Sequence, residues 1–154
     1  MSRYKRIIFV GKSGTVREPM AMGILKTFSL KEPVEVFARG LVVQFPEPMN
    51  QKTEAILVSK NIRIPGFSSS QIKKEDLTGD TLILTMEARD RKRLLENFPN
   101  ADPENVYVLA DFVGEELETV DPYGMALANY GLCYENLLRS IRKLVQILEE
   151  DEEK

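Results

Sequence analysis

The sequence predicts an α/β protein, a single domain of three α/β/α layers built around a four-stranded parallel sheet. Three observations lead there. Short β-branched runs alternate along the chain with longer segments of helical periodicity, the order that places helices on both faces of a parallel sheet. The first run, Ile7-Ile8-Phe9-Val10, is apolar without a break, as a strand covered on both faces requires. Finally, 154 residues with 43% hydrophobic and 29% charged side chains can bury one core without staples, and no repeat or linker divides them.

The elements follow in order. Residues 5–10 (KRIIFV) read as the first strand. From Glu18 to about Leu30, apolar side chains at Met20, Ala21, Ile24, Leu25 and Phe28 mark a helix, with Pro19 in the first turn where its missing N–H costs nothing. Residues 34–38 (VEVFA) give a second strand, stopped by Gly40. Leu41 to Pro48 holds two prolines and reads as a loop, followed by a helix from about Asn50 to Asn61. Residues 64–70 form another loop, with Ser70 as N-cap of a short helix. Residues 80–86 (DTLILTM) are a third strand, 87–97 a charged helix and 105–109 (NVYVL) a fourth strand. The last helix, about 124–149, carries one apolar face through Leu137, Ile141, Leu144 and Leu148, long enough to lie across a sheet. The domain is thus residues 1–149, and 150–154 form an acidic, solvated tail.

Bulk charge narrows the function. The net charge is −3, and the run Glu149–Lys154, five acids and one lysine, accounts for it, so the body is nearly neutral and nothing points to nucleic acid. Cys133 is the single cysteine, which excludes an internal disulfide and fits a reducing cytosol; a cytoplasmic location is expected. There is no histidine, hence neither the commonest general base nor the commonest transition-metal ligand, and no metal or other cofactor is expected. No apolar run approaches the ~20 residues of a membrane span, and the N-terminal residues lead straight into a strand. Any chemistry falls to Asp, Glu, Lys, Arg, Ser, Thr or Tyr.

In open parallel sheets, ligands bind beyond the carboxyl ends of the strands, at the point where strand order switches. The loop after the first strand reads Gly11-Lys12-Ser13-Gly14-Thr15-Val16-Arg17-Glu18-Pro19-Met20-Ala21. It is not a nucleotide-binding P-loop, because the first glycine of that motif would fall at Arg6, inside the strand. A tight loop running into a helix N-terminus supplies backbone N–H groups and a positive dipole end, the donors a phosphate needs. Gly14 accepts a left-handed conformation without strain, and Arg17 offers a planar two-pronged fork.

The frame resembles that of the low-molecular-weight protein tyrosine phosphatases and their arsenate-reductase relatives. In that family a strand ending in Val leads into Cys-x5-Arg and then Ser/Thr-Pro-Met-Ala. Here the same frame holds Val10, Gly11, five residues, Arg17, Glu18, Pro19, Met20 and Ala21. The family's second motif, before the final helix, stands intact as Asp121-Pro122-Tyr123-Gly124, and residues 82–86 (LILTM) and 110–114 (ADFVG) also match. The resemblance implies the family's fold, with phosphate bound by Lys12, Ser13, Gly14, Thr15, Val16 and Arg17. It also implies Asp121 as general acid, and Phe45 and Tyr123 as pocket walls. It places Gly11 where the family has its nucleophilic cysteine, and Glu18 where a hydroxyl helps keep that thiolate ionised.

Nothing obvious replaces the thiolate. Ser13 and Thr15 lack a histidine base, Lys12 is a poor attacking group at neutral pH, and Cys133 reads as a small buried helix residue. Glu18 is expected to point outward, complementing the helix dipole. The leading expectation is a catalytically impaired relative that binds phosphate or a phosphorylated small molecule or protein in the Gly11–Arg17 loop. One alternative is a working phosphomonoesterase using a non-cysteine mechanism, with water guided by Glu18 or Asp121. Another is a scaffold with a vestigial pocket, acting through surfaces such as the apolar loop 41–45, with a protein partner or a homodimer left open.

Overall fold

The structure is a computed structural model that describes residues 4–153. Four strands form one sheet: β1 (Arg6–Gly11), β2 (Glu35–Gly40), β3 (Thr81–Thr85) and β4 (Val106–Val108). Their order is β2-β1-β3-β4, every pair parallel, with Phe9 beside Ala38 on one side and Leu84 on the other. The sheet order switches direction at β1, so the loop that leaves its carboxyl end lies at the expected ligand position.

Alternation along β1 divides the core. Ile7 and Phe9 pack with α1 (Arg17–Leu25), α2 (Gln51–Ser59) and α5 (Leu127–Glu153), while Ile8 and Val10 pack on the other face with Leu94 of α3 (Ala88–Asn97). All four β1 side chains are fully buried, which explains the unbroken apolar run. On α5, Leu137, Ile141 and Leu144 recur at three- and four-residue steps and are fully buried against the sheet. The helix continues without a break through Glu149 to Glu153. Among the described residues, no helix is long and apolar enough to cross a membrane.

Several boundaries differ from the sequence reading, each for a local reason. α1 ends at Leu25 rather than near Leu30. There the turn tightens as Thr27 N–H bonds to Ile24 O and Phe28 N–H to Leu25 O, and the Thr27 hydroxyl donates to Ile24 O as well. Phe28 still packs on the core from outside the helix. Ser70 caps no helix: its carbonyl accepts from Gly40 N–H, and the short 3-10 turn begins later, at Lys74. The fourth strand stops at Val108, and Leu109–Phe112 form a four-residue helix, α4, absent from the sequence reading. The last helix starts at Leu127, not 124. Asp121 Oδ1 accepts from Tyr123 N–H and Gly124 takes a φ of +81°, which holds residues 121–125 in a turn ahead of the helix.

Candidate functional site

The site is assembled at the carboxyl end of the sheet. β1 delivers Gly11, and the chain then turns through Lys12–Val16 into α1. Gly14 has a φ of +77°, and a β-carbon there would stand 2.9 Å from the backbone nitrogen of Gly40, so both conformation and space demand glycine. Neighbouring backbone fixes the loop from both sides. Leu41 and Val42 donate to Gly11 and Lys12 carbonyls at 2.8 and 3.1 Å, and Asn50 N–H donates to Thr15 O at 3.0 Å. The buried Thr53 hydroxyl adds a bond to Val16 O. The two loop hydroxyls are engaged with each other, Ser13 Oγ lying 2.9 Å from Thr15 Oγ1. Lys12 is exposed.

Beneath the loop the arrangement departs from expectation. Glu18 does not point outward. It is only 2% exposed, and its carboxylate fills the space that a side chain at position 11 would occupy. A β-carbon built on Gly11 would lie 1.9 Å from Glu18 Oε1 and 2.6 Å from its Cδ. The dipole rule alone left the outward placement open to any first-turn acid; the vacancy at Gly11 is what draws this one in. Burial pushes the Glu18 pKa up to about 7, against the backbone N–H groups of Glu18 and Gly14 and the charge of Arg17, which favour the anion. Among the described residues, Glu18 Oε2 has no hydrogen-bond partner.

Arg17 is likewise buried, at 2% exposure, but its fork is turned to protein groups. Nη1 donates to Thr119 O and Nη2 to Glu87 Oε2, both at 2.7 Å, and Asp121 Oδ2 lies 3.8 Å from Nη2. Burial opposes its charge, yet Glu18, Glu87 and Asp121 together outweigh that and hold the guanidinium pKa above its ordinary value. Glu87, at the N-cap of α3 just beyond β3, is also paired with Arg89 at 2.7 Å. Burial works against its charge, but the arginines win and its pKa is lowered. Glu87 is the residue that motif reading missed; its signal was an acid just past the carboxyl end of a central strand.

The second motif closes the site. Asp121 uses Oδ1 to hold the turn and Oδ2 to face Arg17, and its side chain is 42% exposed. The segment leading to it is anchored by Glu118, which accepts from Ala88 N–H at the start of α3, and by Glu115, which bonds Ser140, Arg139 and Lys143 on α5. Lys52 on α2 donates to Met125 O at 2.6 Å. Tyr123 and Phe45 are 72% and 74% exposed, standing free of the loop floor. Cys133 is buried, and desolvation raises its pKa to about 12, so it carries no thiolate at neutral pH.

The profile of the family described as low molecular weight phosphotyrosine protein phosphatase matches residues 6–154. The low molecular weight protein-tyrosine-phosphatase PtpB of Staphylococcus haemolyticus is 30% identical, over 90% of this chain and 96% of its own length. A protein-arginine-phosphatase of Geobacillus stearothermophilus is 29% identical over 96% of this chain and 98% of its own. Among solved structures, the YwlE arginine phosphatase of Geobacillus stearothermophilus superposes with a TM-score of 0.89 at 29% identity, covering 96% of this chain and 95% of that one. A low molecular weight protein tyrosine phosphatase from T. tengcongensis gives 0.86 at 30% identity, covering 93% and 99%.

Proposed function

This chain belongs to the low molecular weight phosphotyrosine protein phosphatase family, and from that premise we propose that it binds a phosphorylated ligand in the Gly11–Arg17 loop without cysteine-based turnover. The observation that carries the reading is the exchange at the loop floor, where Gly11 has no side chain and the Glu18 carboxylate stands in its place. A thiolate attack has no atom to begin from. In coupled catalytic units, loss of the nucleophile lowers kcat by roughly a millionfold even when its partners stay.

Ligand binding is supported by the loop itself. It turns through a left-handed Gly14 into a helix start that has no side-chain cap, and the backbone of Gly14 and Glu18 already favours a negative charge there. Lys12 adds an exposed positive charge, and Arg17, buried beneath the turn and bonded to Thr119 and Glu87, adds a fixed positive charge from within the site. A phosphorylated small molecule or protein side chain would enter between the exposed Phe45 and Tyr123. A cytoplasmic setting accords with the lone, buried cysteine.

A second reading is favoured by one observation: Asp121, the family's general-acid position, is retained and half-open at the site mouth. It would make the protein a slow phosphomonoesterase that works without cysteine. Titration with inorganic phosphate and phosphotyrosine, followed by backbone amide NMR, together with release of phosphate from an aryl phosphate, separates the cases. Saturable shifts at residues 11–18 without turnover are expected. Turnover abolished by Asp121→Asn would install the second reading, and a motionless loop in a folded protein would mark the pocket as vestigial.

A further inference from the structure

The floor of the loop holds more than an absent nucleophile. A phosphate entering this loop would need its backbone donors, and the Glu18 carboxylate already lies beneath the loop in the space beside Gly11, where the backbone of Gly14 and Glu18 favours its charged form. That carboxylate is buried, it belongs to the first turn of a nine-residue helix, and one of its oxygens has no partner among the described residues. A carboxylate and a phosphate dianion cannot share one set of donors in a site of low dielectric, because their repulsion grows as water is excluded. We propose that Glu18 is the loop's own resident anion, and that an outside phosphate group enters only in exchange with its charge, as Glu18 takes up one proton from solvent. This rests on the reading of the loop as a phosphate site and adds a condition to it.

The groups that act on Glu18 come from each side of the site. Arg17, adjacent on α1, favours its charged form, and Asp121, from the turn before α5, disfavours it. Beyond Arg17, at the start of α3, stand Glu87 and Asp90; burial raises the Asp90 pKa, whereas Glu87 is held low by its arginines. Cys133, on α5 beneath the site, stays a neutral thiol. Arg17 keeps its charge throughout. With Glu18 ionised, the resident anion holds the donors. With Glu18 protonated, the donors face a neutral acid, and its O–H becomes one further donor to a phosphate oxygen.

Sulfate is a suitable probe, because it stays a dianion where phosphate itself titrates. Its affinity for the wild type, for Glu18→Gln and for Asp90→Asn would be measured by amide NMR from about pH 5.5 to about pH 8.5. Above about pH 7, wild-type affinity should fall about tenfold per pH unit, the slope of one linked proton. Glu18→Gln should bind with little pH dependence and more tightly than wild type at high pH, and Asp90→Asn should keep the wild-type slope. Calorimetry of the wild type near pH 8, in two buffers of different ionisation enthalpy, should find about one proton taken up per sulfate bound. A flat wild-type profile, no proton uptake, or an unchanged slope in Glu18→Gln would overturn the exchange while leaving the loop an anion site. Failure of both wild type and Glu18→Gln to bind sulfate at any pH, with spectra of a folded protein, would overturn the phosphate reading itself and the exchange with it.

Discussion

The two motifs of the site are held in place in opposite ways. The turn Asp121–Gly124 is largely exposed, with Tyr123 at 72% and the Asp121 side chain at 42%. The loop Gly11–Glu18 is anchored from within, with the residues at its first and last positions both buried. An exposed turn can be kept for its shape alone, since Asp before Pro already suits it. A buried pair cannot be exchanged without consequence for its neighbours. Gly11 and Glu18 therefore act as one structural unit, and the loop, not the turn, is where a substitution must disturb the interior.

The sharpest way to break that comparison is to remove the charge joining the two motifs. Arg17→Ala takes away the partner of Glu87 and Asp121 and the positive charge acting on Glu18, leaving the buried Glu18 and the largely covered Glu87 uncompensated. It should destabilise the fold by about 3–5 kcal/mol in guanidinium denaturation. Asp121→Ala, whose 3.8 Å pair is partly solvated, should cost at most about 1 kcal/mol. Equal costs would mean that the turn is as deeply tied in as the loop.

The next largest effect is a pH dependence dominated by Glu18, to which Asp90, its pKa also raised by burial, adds with the same sign. The folded-state pKa of Glu18 is raised to about 7 from an ordinary 4.5. A raised carboxyl pKa favours the folded protein while the group is protonated, and this advantage is lost as pH climbs from 4.5 through 7. The loss should be roughly 3 kcal/mol in urea denaturation, and Glu18→Gln should remove it. Glu87 and Glu115, with lowered pKa values, act with the opposite sign below the ordinary carboxylate range, so the two windows do not overlap. Stability that stays level from pH 5 to pH 8 in the wild type would place the Glu18 carboxylate in water.

How much of this was legible in the chain follows the range of the forces involved. The apolar run 7–10 reported a strand covered on both faces, and Gly14 a left-handed turn, because each is decided within a few residues. Glu18 was misread as an outward acid, since the local dipole rule takes no account of a vacancy seven residues earlier on a different element. Glu87 was missed for the same reason: its role exists only through Arg17, distant in sequence and joined to it by the β1–β3 pairing. The early end of α1 turned on Thr27 bonding back to Ile24, a choice that the apolar stripe through Phe28 concealed.

Refilling the vacancy tests the unit directly. Gly11→Ala places a methyl group 1.9 Å from Glu18 Oε1, and the buried carboxylate must shift to make room for it. The cost should be about 1–3 kcal/mol, and Glu18→Ser should relieve most of it, giving a coupling of about 0.5–3 kcal/mol in a double-mutant cycle. Gly11→Cys alone should leave an aryl phosphate uncleaved, whereas Gly11→Cys with Glu18→Ser should gain turnover. Additive stability effects would show that Glu18 moves aside freely and that the two positions are independent.

The smallest structural effect belongs to the rim, where stability and binding should separate. Phe45 and Tyr123 are exposed at 74% and 72%, so truncating either to alanine removes few buried contacts. Each change should alter stability by no more than about 0.5 kcal/mol. If these rings wall the entry of a phosphorylated aromatic ligand, the same substitutions weaken phosphotyrosine binding severalfold while leaving inorganic phosphate binding unchanged, because only the former meets the rim. A uniform loss for both ligands would mean that the rings act on the loop itself, and an unchanged phosphotyrosine affinity would place the ligand's contacts wholly on the floor between Gly11 and Arg17.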